Sequence, residues 1–304
     1  MIKKSSPKNY WRNILLFLLA ALFIGYLCLQ LIAYPYLTAS AHTHPSRQSP
    51  CCETPADFGL DYEEVTFETA NGLTLHGWYI PGENEAAVML LHGINGNRLS
   101  MLGLAKGLAE AGYGVLLFDL RGHGDSDGDI VPYGGPEAED VVAAAAYLQA
   151  RPDVDPERIG ALGWSLGAQV VIMGAAQDEN VKAVVADGPG ATAVSDWPPP
   201  ETLNEWLYVP VDFMYYQFLP MHTGVTEPLA LIDVLPMLGE RPLLLISSGD
   251  SFERHRMDYF LNHATDPKEL LVFAESDHIG GWRDAPEVYE TNVINFFDKA
   301  LLQP

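Results

Sequence analysis

Residues 158–176 read RIGALGWSLGAQVVIMGAA. Arg158–Gly163 is the short apolar run of a buried strand, and Leu166–Ala176 has the length and composition of a helix. Between them Gly163-Trp164-Ser165-Leu166-Gly167 fits the G-x-S-x-G pattern, in the strand–turn–helix setting that this pattern requires. A turn this sharp holds the serine in a strained backbone conformation. The small flanking residues let neighbouring backbone pass close, so that Oγ projects at the top of the sheet. The helix start behind it offers unpaired N–H groups to an oxyanion. Ser165 is therefore read as a nucleophile; the plainer alternative is a helix N-cap.

On both sides of this segment the chain alternates short apolar strands with helices. Val65–Thr69 and Leu73–Tyr79 flank Asn71-Gly72, a hairpin signal. Ala87–Leu91 and Val115–Asp119 are continuous apolar runs, the mark of strands buried on both faces. Arg98–Ala111 and Glu137–Gln149 read as helices. Further on, Val181–Ala186, Pro242–Ser247 and Glu269–Ala274 read as strands, and Arg254–His263 and Ala285–Leu301 as helices. The pattern predicts the α/β class: a mainly parallel sheet with helices on both faces, opened by a hairpin. In such sheets ligands gather beyond the carboxyl ends of the strands, so chemistry is sought just after each strand.

Three loops answer that search. His92-Gly93-Ile94-Asn95-Gly96-Asn97 follows Leu91; its glycines allow close backbone approach, and the Ile94 N–H is expected to pair with that of Leu166 as an oxyanion hole. His92 itself is read as ordering the loop. His278 stands after the last strand and before Gly280-Gly281; of nine histidines it alone is both late in the chain and directly after a strand. It is the candidate general base. The acid that would orient it is sought after Pro242–Ser247, where Ser248-Gly249-Asp250-Ser251-Phe252-Glu253 presents Asp250 first and Glu253 second. A buried carboxylate there would set the imidazole tautomer and stabilise the imidazolium. For Asp250 the competing role is the N-cap of the next helix.

The order Ser165, Asp250, His278 is the chain order of α/β-hydrolase triads. With these motifs the chain resembles the α/β-hydrolase superfamily over about residues 60–302. Within it, the chain is similar to membrane-anchored, esterase- or lipase-like serine hydrolases with a short lid, the branch that includes serine aminopeptidase-like proteins. Asp119-Leu120-Arg121-Gly122-His123-Gly124-Asp125-Ser126 looks like the family's D-x-R-G-x-G-x-S segment, which implies structural roles for Asp119 and Arg121. Many relatives carry a longer H-G-x-x-D-x-x-V-P stretch at the acid loop, which is shortened here. The resemblance implies an α/β-hydrolase fold with a cap over the active site, and no metal or organic cofactor.

Residues 188–238 are the expected cap. The segment holds Trp197, Trp206, Tyr208, Phe213, Tyr215, Tyr216 and Phe218, and no Lys or Arg lies between Ala183 and Glu240. An aromatic cap without cations suits a small-molecule, apolar ester substrate; the plainer role of these rings is to pack the cap onto the sheet. Glu201, Glu205 and Asp212 are the acids that an amine-binding, aminopeptidase-like alternative would use; a second alternative is a non-catalytic, membrane-tethered binding domain that keeps the fold, against which the intact Ser, His and acid positions speak.

Residues 14–33, ILLFLLAALFIGYLCLQLIA, carry no charge and as a helix span about 30 Å, the thickness of a hydrocarbon core. Lys3, Lys4, Lys8 and Arg12 precede this run, and no Asp or Glu occurs before Glu53. The positive-inside tendency then predicts a cytoplasmic segment 1–13, a transmembrane anchor 14–33, a linker 34–56 and an extracytoplasmic hydrolase domain 57–304. Release after cleavage near Ala41 is the alternative, since Ala39-Ser40-Ala41 is an A-x-A-like site. With the net charge at −23 and the basic flank confined to the N-terminus, the domain is strongly acidic, which argues against nucleic acid as a partner. Cys28, Cys51 and Cys52 are the three cysteines, so nothing after residue 52 offers a thiol nucleophile or a Cys-based metal site.

Overall fold

Eight strands form one sheet: β1 (Glu63–Glu68), β2 (Thr74–Ile80), β3 (Ala87–Leu91), β4 (Gly114–Phe118), β5 (Ile159–Trp164), β6 (Val181–Asp187), β7 (Leu243–Ser248) and β8 (Lys268–Phe273). Their spatial order is β1-β2-β4-β3-β5-β6-β7-β8. The Asn71-Gly72 hairpin pairs β1 with β2, and β2 meets β4 antiparallel; every later pairing is parallel. The computed structural model describes residues 7–133, 135–225 and 229–303.

The parallel core is apolar on both faces because helices cover both. Met89, Leu91, Leu116, Phe118, Ala161 and Val184 point to one side, against α4 (Ala138–Gln149) and α5 (Leu166–Gln177). Their neighbours along the strands, Val88, Leu90, Val115, Leu117, Leu162 and Val185, point to the other. There they meet α3 (Leu102–Glu110) and α10 (Pro286–Phe297). This alternation is the period of two that a pleated strand imposes. Each of the larger of these side chains, the Val, Leu, Met and Phe, stabilises the fold by roughly 1.5–3 kcal/mol when fully buried.

Ahead of the sheet, α1 (Pro7–Cys28) continues through one π-helical turn, Leu29–Ala33, into α2 (Tyr34–Thr43). The π turn precedes Pro35, whose missing N–H and bulky ring disturb the regular ladder at this place. Among the described residues, Tyr10–Thr43 is the helix long and apolar enough to cross a membrane, and its apolar stretch lies outside the folded core. Of the expected segment 1–13, residues 1–6 with Lys3 and Lys4 lie outside the described residues.

Residues 34–56, expected as a linker, are ordered in part by the domain. Helix continues to Thr43, because its aromatic side chains find partners on α6 (Leu203–Thr223): Tyr36 meets Phe218 edge-on, with ring centroids 5.5 Å apart. Beyond the helix, the Val131 N–H donates to Thr43 O at 2.9 Å, and Asn97 Nδ2 donates to Gln48 O at 3.0 Å. Cys51 and Cys52 are joined to each other.

The segment expected as a cap carries α6 and the short α7 (Leu231–Val234) between β6 and β7. After β7 comes α8 (Ser251–His263); after β8 comes the short α9 (Gly281–Asp284), which leads into α10. Loop residues Asp119 and Arg121 serve as struts. Asp119 accepts from the Arg98 backbone N–H at 2.7 Å and pairs with its guanidinium, while Arg121 is paired with Asp140 at 2.6 Å.

Candidate active site

Ser165 sits between β5 and α5 with φ 52° and ψ −109°, a conformation that costs an L-residue about 1–3 kcal/mol. The surroundings impose it. A Cβ on Gly163 would overlap the backbone of Gly167, and one on Gly167 would stand 2.7 Å from His92 O. β5 and α5 therefore approach each other, and β3, more closely than side chains permit. The Ser165 N–H is tied to Asp187 O at 2.8 Å, across to β6. Oγ is thus left pointing out of the turn.

His278 meets it from the loop after β8. Its Nε2 lies 3.0 Å from Ser165 Oγ, and its Nδ1 lies 2.5 Å from Glu253 Oε2. A carboxylate only accepts, so Nδ1 donates and Nε2 is left to accept the serine O–H. Gly188, at the end of β6, makes room for the ring: a Cβ there would stand 2.8 Å from His278 Cε1.

The structure brings Ser165 and His278 together as expected, but it does not bring Asp250 to them. Asp250 caps α8, accepting from the Phe252 and Glu253 N–H groups at 3.0 Å each. Its short side chain is spent on the first turn of its own helix. Glu253, three residues on, turns inward and is 4 % exposed. Its second oxygen accepts from the Ser248 N–H at 2.7 Å. Burial alone would raise the Glu253 carboxyl, but the hydrogen bonds from His278 and from the Ser248 amide outweigh it and hold it below the usual glutamate value.

Leu166 is the first residue of α5, so its N–H has no acceptor within the helix. Ile94 lines the same cavity, and a Cβ on its neighbour Gly93 would stand 3.4 Å from Ser165 Cβ. The two backbone segments assigned to an oxyanion hole therefore both flank the serine. His92 is fully buried beneath them. Its Nε2 accepts from the Leu120 N–H at 3.1 Å, its Nδ1 lies 2.8 Å from Gly93 O, and burial pushes its pKa down to about 4.

A network that sequence reasoning missed lies under the serine. Trp164 Nε1 donates to Tyr289 OH, and Tyr289 OH donates to Asp187 Oδ2, each at 3.0 Å. Burial pushes the Asp187 carboxyl up to about 7, against the hydrogen bond from Tyr289. The position of Asp187 at a strand end was its only sequence signal.

Ser165, Ile94 and Leu166 open into a cavity of about 280 Å³. Its cap side is aromatic, with Trp197, Tyr215 and Tyr216, but it also holds a cation that the cap sequence lacks. Arg256 enters from α8, with its guanidinium carbon 5.2 Å from the Trp197 ring centre and its Nε donating to Pro189 O at 3.1 Å. Asp212 lines the cavity as well; burial pushes its carboxyl up to about 6, partly offset by Arg256. Glu201 and Glu205 are placed differently, on His255 at 3.6 and 3.7 Å. Glu205 and His255 line a second cavity of about 360 Å³ that Ser165 does not reach. Four further residues of the first cavity, Tyr34, Pro35, Thr38 and His42, come from α2. Among the described residues, no three His, Cys, Asp or Glu side chains are grouped to hold a metal ion.

Residues 86–222 match a family model described as the alpha/beta hydrolase fold. Similar curated proteins include a polyketide transferase of Stachybotrys chlorohalonatus, 30% identical over 71% of this chain and 67% of that protein. The uncharacterised protein YfhR of Salmonella typhi is 32% identical over 92% of this chain and 94% of its own length. Among solved structures, an esterase of Pyrococcus furiosus superposes with a TM-score of 0.70 at 26% identity, covering 86% of this chain and 98% of the esterase.

Proposed function

This chain belongs to the α/β-hydrolase family, and from that premise we propose that it is a serine hydrolase cleaving carboxylic ester or thioester bonds of small, largely apolar substrates. The observation that carries the reading is the imidazole of His278, set between the buried Glu253 and the Oγ of Ser165, a residue that lines a cavity. His278 Nε2 takes the Ser165 proton as Oγ attacks the carbonyl carbon. The Ile94 and Leu166 N–H groups receive the oxyanion, and Glu253 stabilises the imidazolium. Collapse of the tetrahedral species expels the alcohol or thiol, protonated by His278. Water, activated by the same imidazole, then frees the acid. The esterase among the similar structures supports this bond class.

The apolar run of residues 14–33, within the helix Tyr10–Thr43, is read as a membrane anchor, with the hydrolase domain outside the cytoplasm. A single observation favours amide hydrolysis as a second reading: Asp212 lines the cavity of the serine, and in that reading it would receive a substrate amine. Labelling with a fluorophosphonate and hydrolysis of p-nitrophenyl esters test the main reading. Both are expected in the wild type, and Ser165→Ala is expected to lose labelling and at least ~10⁴-fold in kcat. Full activity in that variant would end the assignment. Labelling without ester turnover, joined to turnover of aminoacyl amides, would favour the second reading.

A further inference from the structure

The serine cavity is not closed by the cap alone. Tyr34, Pro35, Thr38 and His42 lie on one face of α2 at spacings of one, four and eight residues, and all four line the cavity that Ser165 opens into. This face is held in register with the cap. His42 Nδ1 is 2.9 Å from Tyr215 OH, and the Tyr36 ring lies 5.5 Å from Phe218 and 4.8 Å from His222. The pairing of His42 with Tyr215 and of Tyr36 with His222 shows that α2 and α6 run antiparallel. Leu37, by contrast, points away and is 64 % exposed.

We infer that α2, the direct continuation of the apolar helix, is a wall of the substrate pocket, and that Thr38 and His42 are specificity-determining residues for the ester. This rests on the serine-hydrolase reading above. The wall is a designed contact rather than a grazing one. His42 Nδ1 stands within hydrogen-bond distance of Tyr215 OH, which ties this face of α2 to the cap helix across the cavity. Thr38 contributes a short side chain at mid-wall, leaving space that a larger residue would fill. From Tyr34 to His42 the helix rises about 12 Å. The wall thus begins at the first residue beyond the apolar run and climbs along the cavity.

The test uses the full-length protein in detergent micelles, with p-nitrophenyl esters from acetate to palmitate. Thr38→Trp fills the cavity from the anchor side and Thr38→Ala enlarges it; Leu37→Trp places the same bulk on the outer face. In Thr38→Trp, kcat/KM for the long esters is expected to fall at least ~10-fold relative to acetate. Thr38→Ala is expected to move the optimum toward longer chains, and Leu37→Trp to keep the wild-type profile. A fluorophosphonate small enough to avoid the wall is expected to label Ser165 in all three. If neither Thr38 variant changes the ratio of long-ester to acetate turnover while labelling persists, α2 is no part of the pocket. If the wild type itself is not labelled at Ser165, the serine-hydrolase reading fails instead.

Discussion

Ser165 and Tyr215 face one cavity, yet different forces hold them. On the sheet side, Ser165 is fixed by backbone: a positive φ, two glycines with no room for a Cβ, and a hydrogen bond from its N–H to Asp187 O. His278 and Glu253 extend that frame with short hydrogen bonds, and the glutamate is buried. On the cap side, α6 buries only Tyr216 and Leu219, while Leu203, Trp206 and Leu207 are 60–77 % exposed. Pro210 and Pro220 each remove a hydrogen bond from that helix. Its ties to the rest are ring contacts and single bonds, such as Tyr216 OH to Ala191 O at 3.0 Å. The difference teaches where chemistry and selectivity are stored. The groups proposed to react sit where geometry is over-determined, and the wall proposed to shape the substrate sits where side chains are free to change.

The strongest challenge to this contrast is Glu253→Gln. The amide offers an N–H to Nδ1 and favours the wrong imidazole tautomer, so kcat is expected to fall about 10³–10⁴-fold. Asp250→Asn, three residues away, keeps an N-cap of equal quality and is expected to change kcat by less than about threefold. Kinetics of the pair decide the acid; the reverse ranking would restore Asp250 to the role expected of it from sequence.

Gly163→Ala probes the frame itself. Its methyl group would overlap the Gly167 backbone, so the variant is expected to lose about 3 kcal/mol or more in denaturant unfolding. Tolerance of this change would show that the elbow is less constrained than its contacts imply.

A pH dependence follows from Asp187. Its unfolded carboxyl ionises near the ordinary value of 3.8, whereas the buried one stays protonated up to about 7. Below that window both states hold the proton. Across it the unfolded state alone releases a proton, so folding stability falls as pH rises. Asp187→Asn removes the term, and its melting temperature is expected to vary less than that of the wild type between pH 4 and pH 7. Parallel pH profiles for the two proteins would show that Asp187 is ionised in its buried site.

The smallest effect belongs to the cap surface. Trp206→Ala, at a residue 60 % exposed, is expected to leave stability within about 0.5 kcal/mol and ester turnover unchanged. A large loss would mean that the outer face of α6 is buried by something in solution.

What the sequence by itself determined was local. Apolar runs of strand length, the hairpin signal at Asn71-Gly72 and the Gly-bracketed Ser165 are patterns whose cause lies within a few residues. Strand limits read from them fall within two residues of those in the structure, as at Ala87–Leu91. The positions of Ser165 and His278 were legible for the same reason: each follows a strand, and a parallel sheet carries its strand ends to one edge. Tertiary structure alone decided which carboxylate turns toward His278, since Asp250 and Glu253 share one helical turn and only packing distinguishes the cap from the buried acid. It also decided that Arg256 enters the serine cavity beside Trp197, and that a stretch read as linker packs against Tyr215, 173 residues away in the chain. Such contacts leave no periodicity behind, because each is made between surfaces that only the finished fold brings together.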